Sequence, residues 1–233
     1  MQIKNKKIGF VLSKESLEFK ENIENPKPIR SVIPDWYKKI PMFANNKQYE
    51  NDLGEGISVK GCVPFLDAIS SGYAIVTSQD IQISQQFEFP RLSWRINPPP
   101  LVDRKSHEYL PTPIGCSDSQ FAWDLPFGIE LPKNYSALYT HPLNRNDLPF
   151  FTSSGIIDNG ANWGGKISFW IKKDFEGIIP LGTPIVQILP FKRENWKNEI
   201  RDDLIEKANI NKNNTLKQKS GYKKRIHSKK EFN

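Results

Sequence analysis

Three short stretches hold the side chains whose types could do chemistry. In "GIIDNGANWGG", residues 155–165, a lone carboxylate, Asp158, ends an apolar run at a turn rich in Asn and Gly. A carboxylate fixed at a strand end can orient or deprotonate a water, or accept a hydrogen bond from a hydroxyl. The same residue beside Asn and Gly also makes ordinary Asx turns. In "THPLNR", residues 140–145, His141, Asn144 and Arg145 fall close together, a set able to contact an anion or a nucleotide. In "PIVQILPF", residues 184–191, Gln187 interrupts an apolar strand. A buried glutamine can serve a ligand, or it can satisfy backbone groups at a buried edge or subunit contact. Gly155, Gly160, Gly164 and Gly165 leave room for a flat ligand or for another backbone to approach.

Other chemistries find no support in the spacing. His107, His141 and His227 show no ligand spacing, Cys62 and Cys116 are not paired as metal ligands, and no His-Cys-Cys zinc set occurs, so no metal is assigned. "LGTP" is a turn and not a phosphate-cradling loop. Two cysteines in 233 residues fit a reduced, cytoplasmic chain. The apolar run "IGFVL" is five residues long, far short of a membrane span, so no membrane partner is expected.

The elements that must position these residues follow from the punctuation. Eighteen prolines and fourteen glycines, with 37% apolar residues, favour short strands around one core. Residues 1–57 read as a short strand (Ile8–Leu12) and an extended arm, with Trp36 and Tyr37 in "IPDWYKKIP" as anchors. Residues 58–193 are strand-like, from "CVPFLDAI" through "YAIVTSQDIQI", "FEFPRLSWRI", "YSALYTH" and "GKISFWIKK" to "PIVQILPF". A Pro-rich insert over 90–126 predicts edge strands and loops, and 155–191 predicts a small antiparallel meander. Trp196, Ile200, Leu204 and Ala208 recur at four-residue steps, which predicts an amphipathic helix over 194–210. The net charge of +7 sits wholly in residues 211–233, where eight Lys and Arg face one Glu. A neutral body with a basic, mobile tail predicts weak, salt-sensitive contact with nucleic acid through that tail.

Four of these segments, in order, resemble the trimeric dUTP nucleotidohydrolases (dUTPases) and the related dCTP deaminases. "SSGYAIVTSQDIQI" is similar to their first motif, "FGIELPKNYSALYT" to the segment before their third, "GIIDNGANWGG" to the third with an enlarged loop, and "LGTPIVQIL" to the fourth. The resemblance covers about residues 62–191. It implies a mostly β, β-clip or distorted jelly-roll barrel, assembled as a homotrimer around a small nucleotide-like ligand, to which this chain adds the N-terminal arm and the C-terminal helix read above. It also implies that Asp158 contacts a sugar or a water as the catalytic group, that Trp163 packs against the sugar, and that Gln187 lies near the threefold. Gly72 and Tyr73 match the first motif, and His141, Asn144 and Arg145 stand where the phosphate turn belongs.

The departures fall on the phosphate-handling parts. Ala74 replaces the first motif's Asp, and Asp67 is the nearest substitute carboxylate. "THPLNRND" has an arginine but no serine turn, and the tail has one glycine, Gly221, where the family has a Gly-rich arm. The expectation is therefore a protein that binds a nucleotide or related phosphorylated ligand at an intersubunit site without efficient hydrolysis. Two other functions remain open: an active nucleotide pyrophosphohydrolase with remodelled phosphate contacts, with Mg2+ accompanying a triphosphate, and a structural or assembly protein of a phage.

Overall fold

The computed structural model describes residues 6–43, 57–87, 89–104, 110–158, 164–216 and 221–233. The chain is mostly β, with short helices, as the punctuation predicts. It divides into two compact units, one of residues 1–32 with 72–193, the other of 33–71 with 194–233.

Among the described residues, all the strands lie in the first unit. Its central sheet has five, in the order β11 (Gly155–Ile157), β9 (Tyr135–Thr140), β14 (Pro184–Lys192), β3 (Tyr73–Val76) and β2 (Lys27–Pro28). A four-stranded sheet runs β10 (Phe150–Thr152), β12 (Lys166–Lys172), β7 (Cys116–Asp124) and β6 (Leu101–Asp103). A third sheet is β13 (Gly177–Ile179), β4 (Ile81–Gln86) and β5 (Phe89–Ser93), and β1 (Gly9–Leu12) pairs with β8 (Phe127–Glu130). Every pairing is antiparallel.

The core lies between the sheets and is aromatic at its centre. Trp123 on β7 stacks on Phe169 of β12 at 3.7 Å, with Phe150 of β10 edge-on to the indole at 5.2 Å. Trp123 Nε1 donates to Thr152 Oγ1 at 3.0 Å, and that hydroxyl donates to the Ile185 carbonyl on β14 at 2.9 Å. One buried hydrogen-bond chain thus ties the four-stranded sheet to the central one.

Several expectations are corrected. The 155–191 stretch is not a meander, because its four strands enter three different sheets. Where the described chain resumes at Gly164, Leu125 N–H donates to the Gly165 carbonyl at 3.0 Å and captures the chain at the end of β7. A Cβ at Gly164 would lie 1.7 Å from the Leu125 carbonyl oxygen, so this glycine is required by close approach of another backbone. The 90–126 segment does place β5 and β6 at sheet edges, with Pro90 on edge strand β5, but it also supplies the interior strand β7. "VPFLDAIS", expected as strand, is helix α2 (Val63–Ser70) in the second unit, since Pro64 sits in the first turn where no N–H is missed.

The second unit also contains α1 (Asp35–Lys39), α3 (Ile205–Leu216) and α4 (Gly221–Arg225). The arm segment "DWYKK" is helical rather than extended. Pro34 stands at its N-cap, Asp35 at its start and Lys38 and Lys39 at its end, matching the helix dipole. The helix expected over 194–210 instead begins at Ile205, after a 3-10 turn over Asp202–Leu204. Asp202, Asp203 and Glu206 favour a start there, and Trp196 and Ile200 lie exposed outside it.

Candidate functional site

Each of the four segments that carry the sequence resemblance contributes one strand to the central sheet, while β4 and β8, from the first two segments, lie in other sheets. β3 contains "YAIV", β14 "PIVQIL", β9 "YSALYT" and β11 "GII", and they are neighbours in the order β11-β9-β14-β3. Asp158 follows directly on β11, an edge strand. Its side chain is 68% exposed. Ser136 Oγ of β9 donates to Asp158 Oδ1 at 2.7 Å, and the Arg193 guanidinium, just past β14, stands 3.4 Å from the same oxygen. The result is an exposed carboxylate with one fixed oxygen and an adjacent cation. Such a group can accept a hydrogen bond from a sugar hydroxyl or a water, while a half-exposed arginine faces an anion.

Sequence reasoning missed both partners of Asp158. Ser136 is a small polar residue inside an apolar strand, the same signal that singled out Gln187. Arg193 looked like one more cation among the charges after β14.

The other expected site residues are engaged inside the chain. Gln187 is fully buried, and its Oε1 accepts the Leu143 N–H at 2.8 Å. This answers why a polar residue interrupts the strand: it caps the turn that follows β9. Arg145 is 11% exposed and makes a two-pronged ion pair with Asp147, Nε to Oδ1 at 2.9 Å and the terminal nitrogen to Oδ2 at 2.9 Å. Asn144 is exposed in a left-handed conformation, φ 59°, so it shapes the turn. His141 accepts the Thr152 N–H on Nδ1 at 3.3 Å and faces the Arg145 carbonyl with Nε2 at 3.2 Å. These partners place the ring proton on Nε2. The ring also stacks on Phe151 at 5.3 Å. Together these contacts hold the turn 141–148 against the sheet.

Gly72 has φ +83°, and a Cβ there would lie 2.2 Å from the Ile188 carbonyl oxygen. Tyr73 is half-buried, packs edge-on against Phe10 at 5.5 Å, and its phenol is pushed up by burial. Three strand spacings, about 14 Å, separate its strand from that of Asp158. One chain therefore does not bring Tyr73 to Asp158. Asp67 lies in the other unit, on α2. Trp163, His107 and Gly160 lie outside the described residues. Among the described residues no three His, Cys, Asp or Glu converge as metal ligands, and no helix is long and apolar enough to cross a membrane.

A cleft of about 510 Å³ opens at the opposite end of β14, around Ile185 and about 25 Å of strand from Arg193. Phe19, Ile23, Ile75, Pro99 and Leu125 form apolar walls, and Glu15, Asp124 and Lys166 bring charge. Its walls are tied together. Gln79 donates to the Ile96 carbonyl at 2.6 Å and accepts from Ile96 N–H at 2.8 Å, Asn22 donates to the Asn97 carbonyl, and Ser13 N–H donates to the Pro126 carbonyl.

Two predictions arise here. Gln187→Leu should destabilise the fold by about 1–3 kcal/mol, because it strands the Leu143 N–H. A urea midpoint equal to that of the wild type would contradict this assignment. His141 titrates below its ordinary value of about 6.5, chiefly because burial disfavours the charged ring; Lys172 and Arg145 add to this, and the Arg145 carbonyl and Asp147 oppose it. A depressed native value means that the unfolded chain takes up the proton first. The contribution is therefore complete above about pH 6.5 and is lost as pH falls through the native value. Denaturant titrations at pH 7.5 and 5 should show the wild type losing more stability than His141→Gln; equal losses would refute the buried, neutral ring.

No family model matches the sequence, and no curated protein matches it. Among solved structures, the dUTPase of EIAV in its native form is similar over 56% of this chain and 88% of that one, at 14% identity and a TM-score of 0.32. The likeness is distant and concerns the fold alone.

Proposed function

We propose that this protein binds a nucleotide or a related small phosphorylated ligand at the Asp158 edge of the central sheet, between copies of the chain in a homotrimer, without efficient hydrolysis. The observation that carries the reading is that each of the four resembling segments contributes a strand to one sheet, with Asp158 and Arg193 exposed together at its edge and the buried Ser136 hydroxyl donating to Asp158. Asp158 accepts a sugar hydroxyl or water, and Arg193 takes over the phosphate contact first expected of Arg145. Weak turnover follows from Ala74, which puts a methyl where the resembled family has a carboxylate.

The trimer rests on a different strand from the one first expected. β14 lies between β9 and β3, so its lack of charge is explained by burial within the chain. The exposed apolar edge is β11, with Ile156 65% and Ile157 40% exposed. An uncharged, apolar edge is open to pairing with another copy. A light-scattering mass near that of one 26.8 kDa chain at micromolar concentration would exclude it. The tail's excess of cations supports weak, salt-sensitive contact with nucleic acid as well.

The test is a panel of nucleotides scored for binding and for phosphate release. Asp158→Ala should weaken binding by about 1–3 kcal/mol with fold and assembly unchanged. If the protein is instead an efficient hydrolase, phosphate release will be fast and Asp158→Asn will remove it with little loss of binding. A second reading places the ligand in the 510 Å³ cleft, favoured by its volume. Binding insensitive to Asp158→Ala but lost in Ser16→Trp, at the cleft wall, would select it.

A further inference from the structure

Within the helical unit, the C-terminal segment is folded back onto α2. Asp67 meets Lys230 Nζ at 2.6 Å and His227 Nε2 at 3.2 Å, across 160 residues of sequence. The Asp67 carboxylate is 22% exposed and the His227 ring 15%. Burial alone would raise the Asp67 carboxyl, yet the hydrogen bonds and charges of Lys230 and His227 hold it below the usual carboxylate range. This is therefore an occupied ion-pair site and not a loose surface contact.

The same segment carries exposed cations of another kind. Lys223 and Lys224 lie on α4 in open solvent, next to the exposed ring of Tyr222, with Arg225 following them. Cations interleaved with an exposed aromatic are the combination that holds single-stranded nucleic acid, the charges following the phosphates and the ring stacking on a base. A lipid surface would use the charges but not the stacking.

We propose that residues 222–230 form a surface for single-stranded nucleic acid, and that Asp67 holds part of it in reserve by sequestering Lys230 and His227. The proposal rests on the nucleic-acid contact already read for the tail, and adds which residues make it and what restrains it. Asp67 and a phosphate compete for the Lys230 ammonium and for a hydrogen bond from the His227 ring. Lys223, Lys224 and Tyr222 make the first contacts, and Lys230 and His227 add to them only when they leave Asp67.

The experiment measures binding of the full chain to a fluorescent 20-mer of deoxythymidine, across a salt series. Asp67→Asn should bind several-fold tighter than the wild type. Its log affinity should fall more steeply with log salt, by roughly 0.7, the slope of one added phosphate contact, that of Lys230, on a single strand. In an Asp67→Asn/His227→Gln/Lys230→Gln variant the gain should disappear. In the wild-type background, Lys223→Gln/Lys224→Gln should cost more affinity than His227→Gln/Lys230→Gln, a comparison that does not depend on how Asp67→Asn folds. Tyr222→Ala should weaken binding without changing the salt slope. If the wild type and Asp67→Asn bind alike, the restraint by Asp67 is wrong while the tail contact stands. If neither binds, both are wrong. Stronger retention on phosphatidylserine vesicles than on the oligonucleotide overturns the assignment of the partner.

Discussion

Gly72→Ala is expected to cost about 3 kcal/mol or more, enough to unfold a marginal domain. Two effects add. The backbone at Gly72 is left-handed at φ +83°, a region that costs a residue with a Cβ roughly 1–2 kcal/mol. The added methyl would also sit 2.2 Å from the Ile188 carbonyl oxygen and 2.9 Å from a Leu189 methyl, on a strand with neighbours on both sides that cannot retreat. Gly165 separates the two effects. It has φ +80° with nothing within 4 Å of a Cβ, so Gly165→Ala should show the backbone cost alone. Thermal or urea unfolding of both variants checks this, and equal losses would refute the close approach of β14 to Gly72.

Trp123→Ala should be as damaging, at about 3–5 kcal/mol. The indole is fully buried, stacked on Phe169 and edge-on to Phe150, and its N–H begins the chain through Thr152 to Ile185 on β14. Trp123→Phe keeps one stacked ring but loses the rest of the indole and its donor, so it should cost less, about 1–3 kcal/mol. Both variants lack the donor, so the difference between them measures the packing of the retained ring. A Phe variant as damaged as the Ala variant would contradict the ring stack within the four-stranded sheet as the larger share of what Trp123 contributes.

Much of the fold was legible because its signals are local. Alternation in "KISFWIK" marked β12, and "YAIV", "YSALYT" and "PIVQIL" marked the strands of the central sheet. What was not legible is pairing. Strands β11 to β14 follow one another in sequence, and nothing local says that Gly164 must pass against the Leu125 backbone and send β12 to a different sheet. The helix signals failed where capping outweighed periodicity. The Trp196-to-Ala208 stripe has the right spacing, but Asp202 and Asp203 set the start, and Pro64 turned an apparent strand into α2.

The site was legible by type but not by availability. Asp158 is exposed at a strand end, as its turn residues suggested. Arg145 and Gln187 stood out for sound reasons and are engaged elsewhere, Arg145 by Asp147 two residues on and Gln187 by Leu143 44 residues before it, partners that no single-residue signal reveals. Ser136 and Arg193 come to Asp158 from 22 residues before it and 35 residues after it, through register alone.

The central claim is that the ligand sits at the Asp158 edge of the central sheet. Hydrogen exchange of the whole protein, with and without saturating dUTP, tests it most directly. Ligand bound there should slow exchange in 136–138, 155–158 and 191–193, and leave 13–23, 75–79 and 96–100 as they were. Protection confined to the second group, around the 510 Å³ cleft, or no protection anywhere at millimolar nucleotide, would contradict the claim.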